Sequence, residues 1–201
     1  MNLFRVICIV ISNVLSIVSI APYVRDTVQR KTKPRIVSWL TWSLLTGIAA
    51  AATLSAHAYP AAILLIVETL ACVSIVVLGW RYGERDIARF DIVCQLAAVV
   101  GLVLWLIFNS PTIAIAAGIG IDFIGGLPTL KHTWEKPYEE TWMTYFVSAV
   151  GCLFTIFAIT ELRFDALAYP LYLTIMDTAF TLIILFRLKR SAAPAPTPPR
   201  L

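Results

Sequence analysis

The chain has 201 residues, of which 59% are hydrophobic and only 14% are charged. A mean hydropathy of +0.83 leaves too few polar side chains to cover a water-soluble surface, which excludes an ordinary soluble domain. The formal net charge of +4 comes from short basic loops that adjoin apolar runs and lack interleaved aromatic residues, so we expect no nucleic-acid partner.

Seven apolar runs follow one another along the chain, each near the roughly 20 residues that an α-helix needs to cross a bilayer. Strands are excluded because unpaired backbone amides cost several kcal/mol each in hydrocarbon. We therefore predict an all-α, multi-pass integral membrane protein with seven transmembrane helices. The predicted spans are Leu3–Val24, Ile36–Ala56, Ala58–Trp80, Phe90–Phe108, Thr112–Leu130, Thr141–Thr160 and Ala166–Phe186.

The first run is longer than the apolar core of a signal peptide and lacks an Ala-x-Ala cleavage site, so we expect a permanent helix.

With seven spans, fourteen of the 16 Lys and Arg residues fall on one side of the membrane, and only Arg5 and Arg163 fall on the other. The positive-inside rule places the basic side in the cytoplasm. The amino terminus is therefore predicted outside and the carboxyl terminus in the cytoplasm.

Parts of the chain repeat one another, first at an offset of 106 and then, after a three-residue deletion, at 103. The third copied helix is marked by a tripeptide that recurs unchanged at an offset of 110. The matched positions are Pro22 with Pro128, Lys33-Pro34 with Lys136-Pro137, Ser38-Trp39 with Thr141-Trp142, Thr41-Trp42 with Thr144-Tyr145, and Ala58-Tyr59-Pro60 with Ala168-Tyr169-Pro170.

This repetition predicts two parallel three-helix bundles joined by a linker helix, a 3+1+3 arrangement. An odd number of copied spans would invert the second copy, and the extra helix restores its direction. Parallel repeats of this kind place a substrate near the bilayer midplane between the halves. The predicted units are a first bundle at 1–82, the linker helix at 83–109, a second bundle at 110–190 and a disordered tail at 191–201.

The arrangement, together with a proline near the end of each first helix and a basic loop after it, resembles the PQ-loop and SWEET superfamily. Where those families carry Pro-Gln, this chain has Pro22-Tyr23 and Pro128-Thr129. The resemblance implies a carrier for a small polar solute that works by alternating access, with sugar as the first substrate class and amino acids or similar metabolites next. It also implies that Pro22 and Pro128 act as hinges; the alternative is that they only end or bend helices.

Three acidic residues, Glu68, Asp122 and Asp177, fall near the middle of predicted spans. Ionisable groups at that depth cost roughly 2.5–3.5 kcal/mol, so each one indicates a solute pathway, a proton site or a structural partner. Ser16 is the repeat equivalent of Asp122, and Asn13 lies one helical turn from it. We assign these five residues to a substrate or proton pathway and leave open whether Glu68 and Asp177 face the same cavity.

The indoles Trp39, Trp42 and Trp142 lie near the cytoplasmic ends of their spans, where they serve either as interfacial anchors or as gate and pocket residues. His57 and His132 lie on opposite sides of the membrane, and the four cysteines show no ligand spacing. We therefore expect no enzyme activity, no metal and no cofactor. Cys8, Cys72, Cys94 and Cys152 are expected to be small core residues.

The expected partners are a small polar solute, the lipid bilayer and, as a candidate coupling ion, the proton. Two alternatives share the topology: a facilitator for a vitamin precursor of the nicotinamide riboside type, and a receptor of the same fold that binds a ligand without moving it. The sequence leaves the oligomeric state open, and a homo-oligomer is compatible with it.

Overall fold

A computed structural model describes residues 3–55, 59–84, 87–107, 111–160 and 164–191. These residues form seven α-helices and one short 3-10 helix, with no strand among them, which confirms the all-α class. The helices are α1 (Leu3–Val28), α2 (Ile36–Ser55), α3 (Tyr59–Tyr82), α4 (Arg89–Ile107), α5 (Pro111–Glu135), α6 (Trp142–Ala158) and α7 (Phe164–Ser191), with the 3-10 helix at Pro137–Glu139 before α6.

Three helical segments within these ranges are long and apolar enough to cross a membrane: Leu3–Val28, Leu65–Tyr82 and Ala166–Arg190. Two more, Ile36–Ala51 and Trp142–Ala158, are apolar but shorter. Large hydrophobic side chains point outward along the bundle. The fold is therefore compatible with a membrane location, and the seven spans stay a prediction. Ser191 ends α7, and the rest of the predicted tail lies outside the described residues.

The helices pack in a pattern that maps onto itself when α1, α2 and α3 are exchanged for α5, α6 and α7. Helix α3 contacts both α1 and α2, and α7 contacts both α5 and α6. Between the two groups, α1 packs against α6 and α5 packs against α2. We call these two crosswise contacts the seams. Helix α4 packs on α5 and α2.

Each seam contains a glycine that packs closely against the partner helix. A Cβ on Gly125 of α5 would lie 2.5 Å from Thr41 Cγ2 of α2. A Cβ on Gly151 of α6 would lie 3.3 Å from the Cβ of Leu15 in α1. Small residues allow such close approach, and in lipid this packing replaces the hydrophobic effect as the force between helices.

Helix α4 is anchored to α2 by polar contacts. Arg35, just before α2, forms a buried ion pair with Asp91, whose carboxylate also accepts a hydrogen bond from the Ala88 amide at 2.8 Å. One turn further on, Thr41 donates a hydrogen bond to Gln95 at 2.8 Å. These contacts hold the first turns of α4 against the second helix of the chain.

The loops after α1, α3 and α5 meet at one end of the bundle, which we call the basic end because it holds the basic loops described above. The Lys33 amide donates to the Glu139 carbonyl oxygen at 2.9 Å, and the Thr32 and Thr141 hydroxyls lie 2.5 Å apart. Lys136 reaches back to Glu84 at 2.8 Å. The α1–α2 and α5–α6 loops, which the repeat matches to each other, are thus joined directly.

Pro22 and Pro128 both lie inside continuous helices. Helix α1 continues past Pro22 to Val28, and α5 continues past Pro128 to Glu135. Both helices therefore extend beyond the predicted ends of their spans, Val24 and Leu130. A proline inside a helix removes one backbone hydrogen bond and weakens the helix locally, so the two positions are equivalent weak points. Their role as hinges stays a prediction.

Candidate functional site

A cavity of about 480 Å³ lies in the middle of the bundle, within the size range of small-molecule sites. Side chains from α1, α2, α3, α5, α6 and α7 line it, so both groups of three helices contribute. Its carboxylates and aliphatic hydroxyls belong to eight residues: Glu68, Asp122, Asp177, Ser16, Ser19, Thr46, Thr144 and Ser148. Six aromatic residues also line the cavity: Trp39, Trp42, Tyr145, Tyr169, Tyr172 and Phe180.

Asp122 is an acid of the cavity whose two carboxylate oxygens both accept hydrogen bonds. Tyr172 donates its phenolic hydrogen to Asp122 Oδ2 at 2.7 Å, and Tyr169 donates to Oδ1 at 3.3 Å. Both tyrosines lie on α7, one turn apart, so helical spacing brings both hydroxyls to one carboxylate. Helices α5 and α7 are thus joined inside the cavity by an acid with two donors.

Glu68 and Asp177 line the same cavity, which the sequence had left open. The Ser148 hydroxyl of α6 lies within hydrogen-bonding reach of Asp177. Next to Glu68, Thr69 donates to Thr46 of α2 at 3.1 Å. All three predicted acids therefore lie in one space between the two groups of helices.

The other predicted site residues divide between the cavity and its surroundings. Ser16, Trp39 and Trp42 are lining residues, whereas Asn13 and Trp142 are not among the described residues of the lining. Trp142 packs against Phe146, with ring centroids 6.1 Å apart. Tyr145, one turn further along α6 and the repeat equivalent of Trp42, lines the cavity in place of Trp142.

The cavity is closed at the basic end by a cluster of buried side chains, which we call the aromatic plug: Tyr23, Trp39, Ile75, Tyr145, Phe180 and Ile184. Trp39 packs on Tyr23 with ring centroids 4.8 Å apart and donates its indole hydrogen to the Tyr23 oxygen at 3.2 Å. Tyr145 stacks on Phe180 at 4.6 Å. Because Trp39, Tyr145 and Phe180 also line the cavity, the plug forms its floor.

Beneath the plug lies Glu140, which the sequence analysis did not select. Its Oε2 accepts hydrogen bonds from Tyr23 at 3.1 Å and Tyr145 at 3.2 Å. Glu140 is 6% exposed, and burial raises the pKa of its carboxyl to about 8, although the two phenols oppose this shift. At neutral pH the carboxyl is thus mostly protonated. One acid, carried by the α5–α6 loop, joins α1 to α6 at the closed end.

Two further acids at the basic end, Glu84 and Glu139, are paired with lysines. The ligand atoms of Glu84, His132 and Glu139 all lie within 4.8 Å of one another, a spacing that suits a metal ion. However, the Lys136 ammonium lowers the pKa of Glu84, and Lys33 lies 2.5 Å from Glu139. The arrangement is therefore an ion-pair network that fastens the loops together.

In comparisons with known proteins, the chain matches no protein-family model, no curated protein and no solved structure.

Proposed function

We propose that this protein is a membrane carrier that moves a small polar solute by alternating access between two three-helix bundles, α1–α3 and α5–α7, linked by α4. The observation that carries the proposal is the central cavity, which both groups of helices line and which holds Glu68, Asp122 and Asp177. A carrier needs such a site near the bilayer midplane, between halves that can rock against each other.

The proposal is supported by the crosswise packing. Because α1 packs on α6 and α5 packs on α2, the two halves meet along two equivalent seams on either side of the cavity. Motion along both seams would open one end while closing the other. The described conformation is closed at the basic end, which the distribution of Lys and Arg assigns to the cytoplasm. The resemblance to the PQ-loop and SWEET superfamily fits this reading and is part of the proposal.

The proposed substrates of the carrier are sugars first, then amino acids and similar metabolites, with the proton as a candidate coupling ion. Five aliphatic hydroxyls and three carboxylates in the lining can hydrogen-bond the hydroxyl or amine groups of such solutes. A facilitator for an aromatic vitamin precursor is a second candidate, favoured by Trp39 and Trp42 in the lining.

The experiment is uptake into proteoliposomes. Labelled sugars, amino acids and nucleosides are offered to wild-type protein with a neutral or an acidic exterior, and to Glu68→Gln, Asp122→Asn and Asp177→Asn. Glu84→Gln is the control, because that acid lies outside the cavity and is paired with Lys136. We expect saturable uptake of one solute class that is lost in at least one cavity variant and kept in the control.

Acid-stimulated uptake would identify proton coupling, and uptake of nucleosides without an effect of pH would favour the vitamin-precursor facilitator. Saturable binding without uptake, by protein that elutes as a single folded species, would reject the carrier and leave the receptor of the same fold.

A further inference from the structure

The central cavity has an imbalance of charge. Three carboxylates line it, and none of the described lining residues is a lysine, arginine or histidine. The basic side chains beneath the aromatic plug have acids of their own there: Lys33 with Glu139, Lys136 with Glu84, and Arg35 with Asp91. Among the described residues, therefore, the wall of the cavity contains no cationic side chain that could pair with its three acids.

The hydrogen bonds in the cavity suit an ionised acid. Asp122 receives two phenolic hydrogens, from Tyr169 and Tyr172, and donors aimed at both oxygens of a carboxylate stabilise its anionic form. An anion in a low-dielectric site is costly unless a cation compensates it. When the protein does not supply the cation, a ligand can.

The rest of the lining is unsuited to a hydrated inorganic ion. Beyond its acids and aliphatic hydroxyls, it consists of six aromatic residues and eleven aliphatic, sulfur-containing or glycine residues. Aromatic faces attract cations through their quadrupole, and recognition of substituted ammonium groups uses this contact. A cation with apolar substituents would satisfy the carboxylates and the aromatic faces together.

A hydroxyl in the lining also lacks a partner. Thr144 is only 5% exposed, and its Oγ1 has no hydrogen-bond partner among the described residues. Thr144 lines the cavity next to Tyr145 on α6. This oxygen is enclosed by protein atoms, so a hydroxyl group on a ligand would pair instead with the other aliphatic hydroxyls of the lining, Ser16, Ser19, Thr46 and Ser148.

From these observations we propose that the central cavity binds a small organic cation, namely a substituted ammonium that also carries a hydroxyl group, rather than a neutral sugar. The ammonium would lie among Asp122, Asp177, Glu68 and the aromatic faces, with aliphatic hydroxyls of the lining available to its hydroxyl group. The inference rests on the proposed role of the cavity as the solute site and narrows its substrate class.

The test compares ligands of equal shape and unequal charge. Choline and 3,3-dimethyl-1-butanol have nearly the same size and the same hydroxyl group, but only choline is charged. Their dissociation constants are measured by isothermal titration calorimetry on the full chain in detergent at neutral pH, with glucose as a neutral polar reference. The wild-type comparison needs no variant, so it stands even if a substitution impairs folding.

We expect choline to bind at least about tenfold more tightly than its neutral isostere, because desolvated cation–π contacts and a carboxylate together supply that much discrimination. The preference should disappear in Asp122→Asn and persist in Glu84→Gln. Equal affinity for the two isosteres, absence of choline binding, or tighter binding of glucose would each overturn the inference.

Uptake of labelled choline into proteoliposomes separates this inference from the proposed carrier. Binding with selectivity but without uptake would reject the carrier and keep the cation site. Saturable uptake of a sugar by protein that does not bind choline would reject the cation site and keep the carrier.

Discussion

Tyr172 on α7 donates a hydrogen bond of 2.7 Å to Asp122 on α5, in the wall of the central cavity. The pair lies within the group of helices α5–α7 and not across a seam, so in the proposed carrier it can persist while the two halves rock against each other. The second phenol, Tyr169, lies 3.3 Å from the other carboxylate oxygen. The two donors therefore fix the direction in which Asp122 faces the cavity.

Replacing Tyr172 with phenylalanine should weaken solute binding by about tenfold or more. The substitution removes the shorter hydrogen bond to Asp122 and keeps the aromatic ring, and hydrogen bonds to charged groups contribute roughly 1.5–3 kcal/mol. Tyr169→Phe should have a smaller effect because its bond is longer. The measurement is the dissociation constant of the solute, choline by our inference. Equal affinities of Tyr172→Phe and wild type would show that the phenol does not orient the acid.

A disulfide across the basic end should stop transport by holding that end closed. The hydroxyls of Thr32 and Thr141 lie 2.5 Å apart, so cysteines there can approach closely enough to bond. Oxidation of Thr32→Cys/Thr141→Cys should abolish uptake, and a reducing agent should restore it. The natural cysteines, replaced by alanine in this background, are Cys8, Cys72, Cys94 and Cys152.

The control for this crosslink is the Thr32→Cys variant alone, which should respond to neither reagent. Mass spectrometry establishes how much of the double variant is crosslinked. Full uptake by completely crosslinked protein would contradict alternating access at this end.

Glu140 should make the closed basic end more stable at low pH. Its pKa is raised by burial to about 8, above the unfolded value of about 4.3, so the folded protein holds the proton more tightly. This stabilisation is complete below about pH 4 and is lost as pH rises toward 8, by at most roughly 1.4 kcal/mol per pH unit. The groups that face the carboxyl are Tyr23, Tyr145, Glu139 and Arg35.

The measurement is the melting temperature in detergent between pH 5 and pH 8.5. Glu140→Gln mimics the protonated acid, so wild type should lose stability relative to the variant as the pH rises. Parallel curves for the two proteins would mean that Glu140 has the same pKa in the folded and unfolded states. Glu84→Gln is the matched control: Lys136 lowers the pKa of that acid, so it is ionised in both the folded and the unfolded protein over this range, and its replacement should leave the dependence on pH unchanged.

Gly125→Ala should destabilise the α2–α5 seam. The new methyl group would lie 2.5 Å from Cγ2 and 2.9 Å from Cβ of Thr41, and the second contact cannot be relieved by side-chain rotation alone. Overpacking of this kind costs about 1–3 kcal/mol. Gly120→Ala is the control on the same helix, since nothing lies within 4 Å of its added Cβ. A lower melting temperature for Gly125→Ala alone is expected; equal values would contradict close packing at this seam.

The sequence predicted the helical class because apolar runs of this length leave no alternative for the backbone in lipid. It also selected Glu68, Asp122 and Asp177, since acids at that depth are costly, and the structure places all three in one cavity. Which helix face each acid occupies could not be predicted, because a gap of one residue between the copies rotates a side chain by about 100°.

Glu140 shows what the sequence could not predict. In the sequence it follows Glu139 in a short loop, where solvated acids are ordinary. Its burial depends on Tyr23, which is 117 positions away in the chain, and no periodicity records a contact at that separation. The only available signal was its position next to the matched pair Thr141-Trp142. Asn13 is the opposite case. We predicted it as a pathway residue because it is polar, but it is not among the described residues that line the cavity.

The crosswise seams have a consequence for how the protein is made. The polar or small face of α1, with Ser12 buried, packs against Gly151 of α6, and α6 begins at Trp142, long after α1 has left the ribosome. If the protein inserts into a membrane as predicted, that face must until then be covered by lipid or by the insertion machinery. Helix α5, by contrast, finds α2 already synthesised. During biogenesis α1 therefore has no partner helix until α6 is synthesised, whereas α5 has one at once. Truncations within α6 should leave α1 unpaired and make the shortened protein a target of cellular quality control.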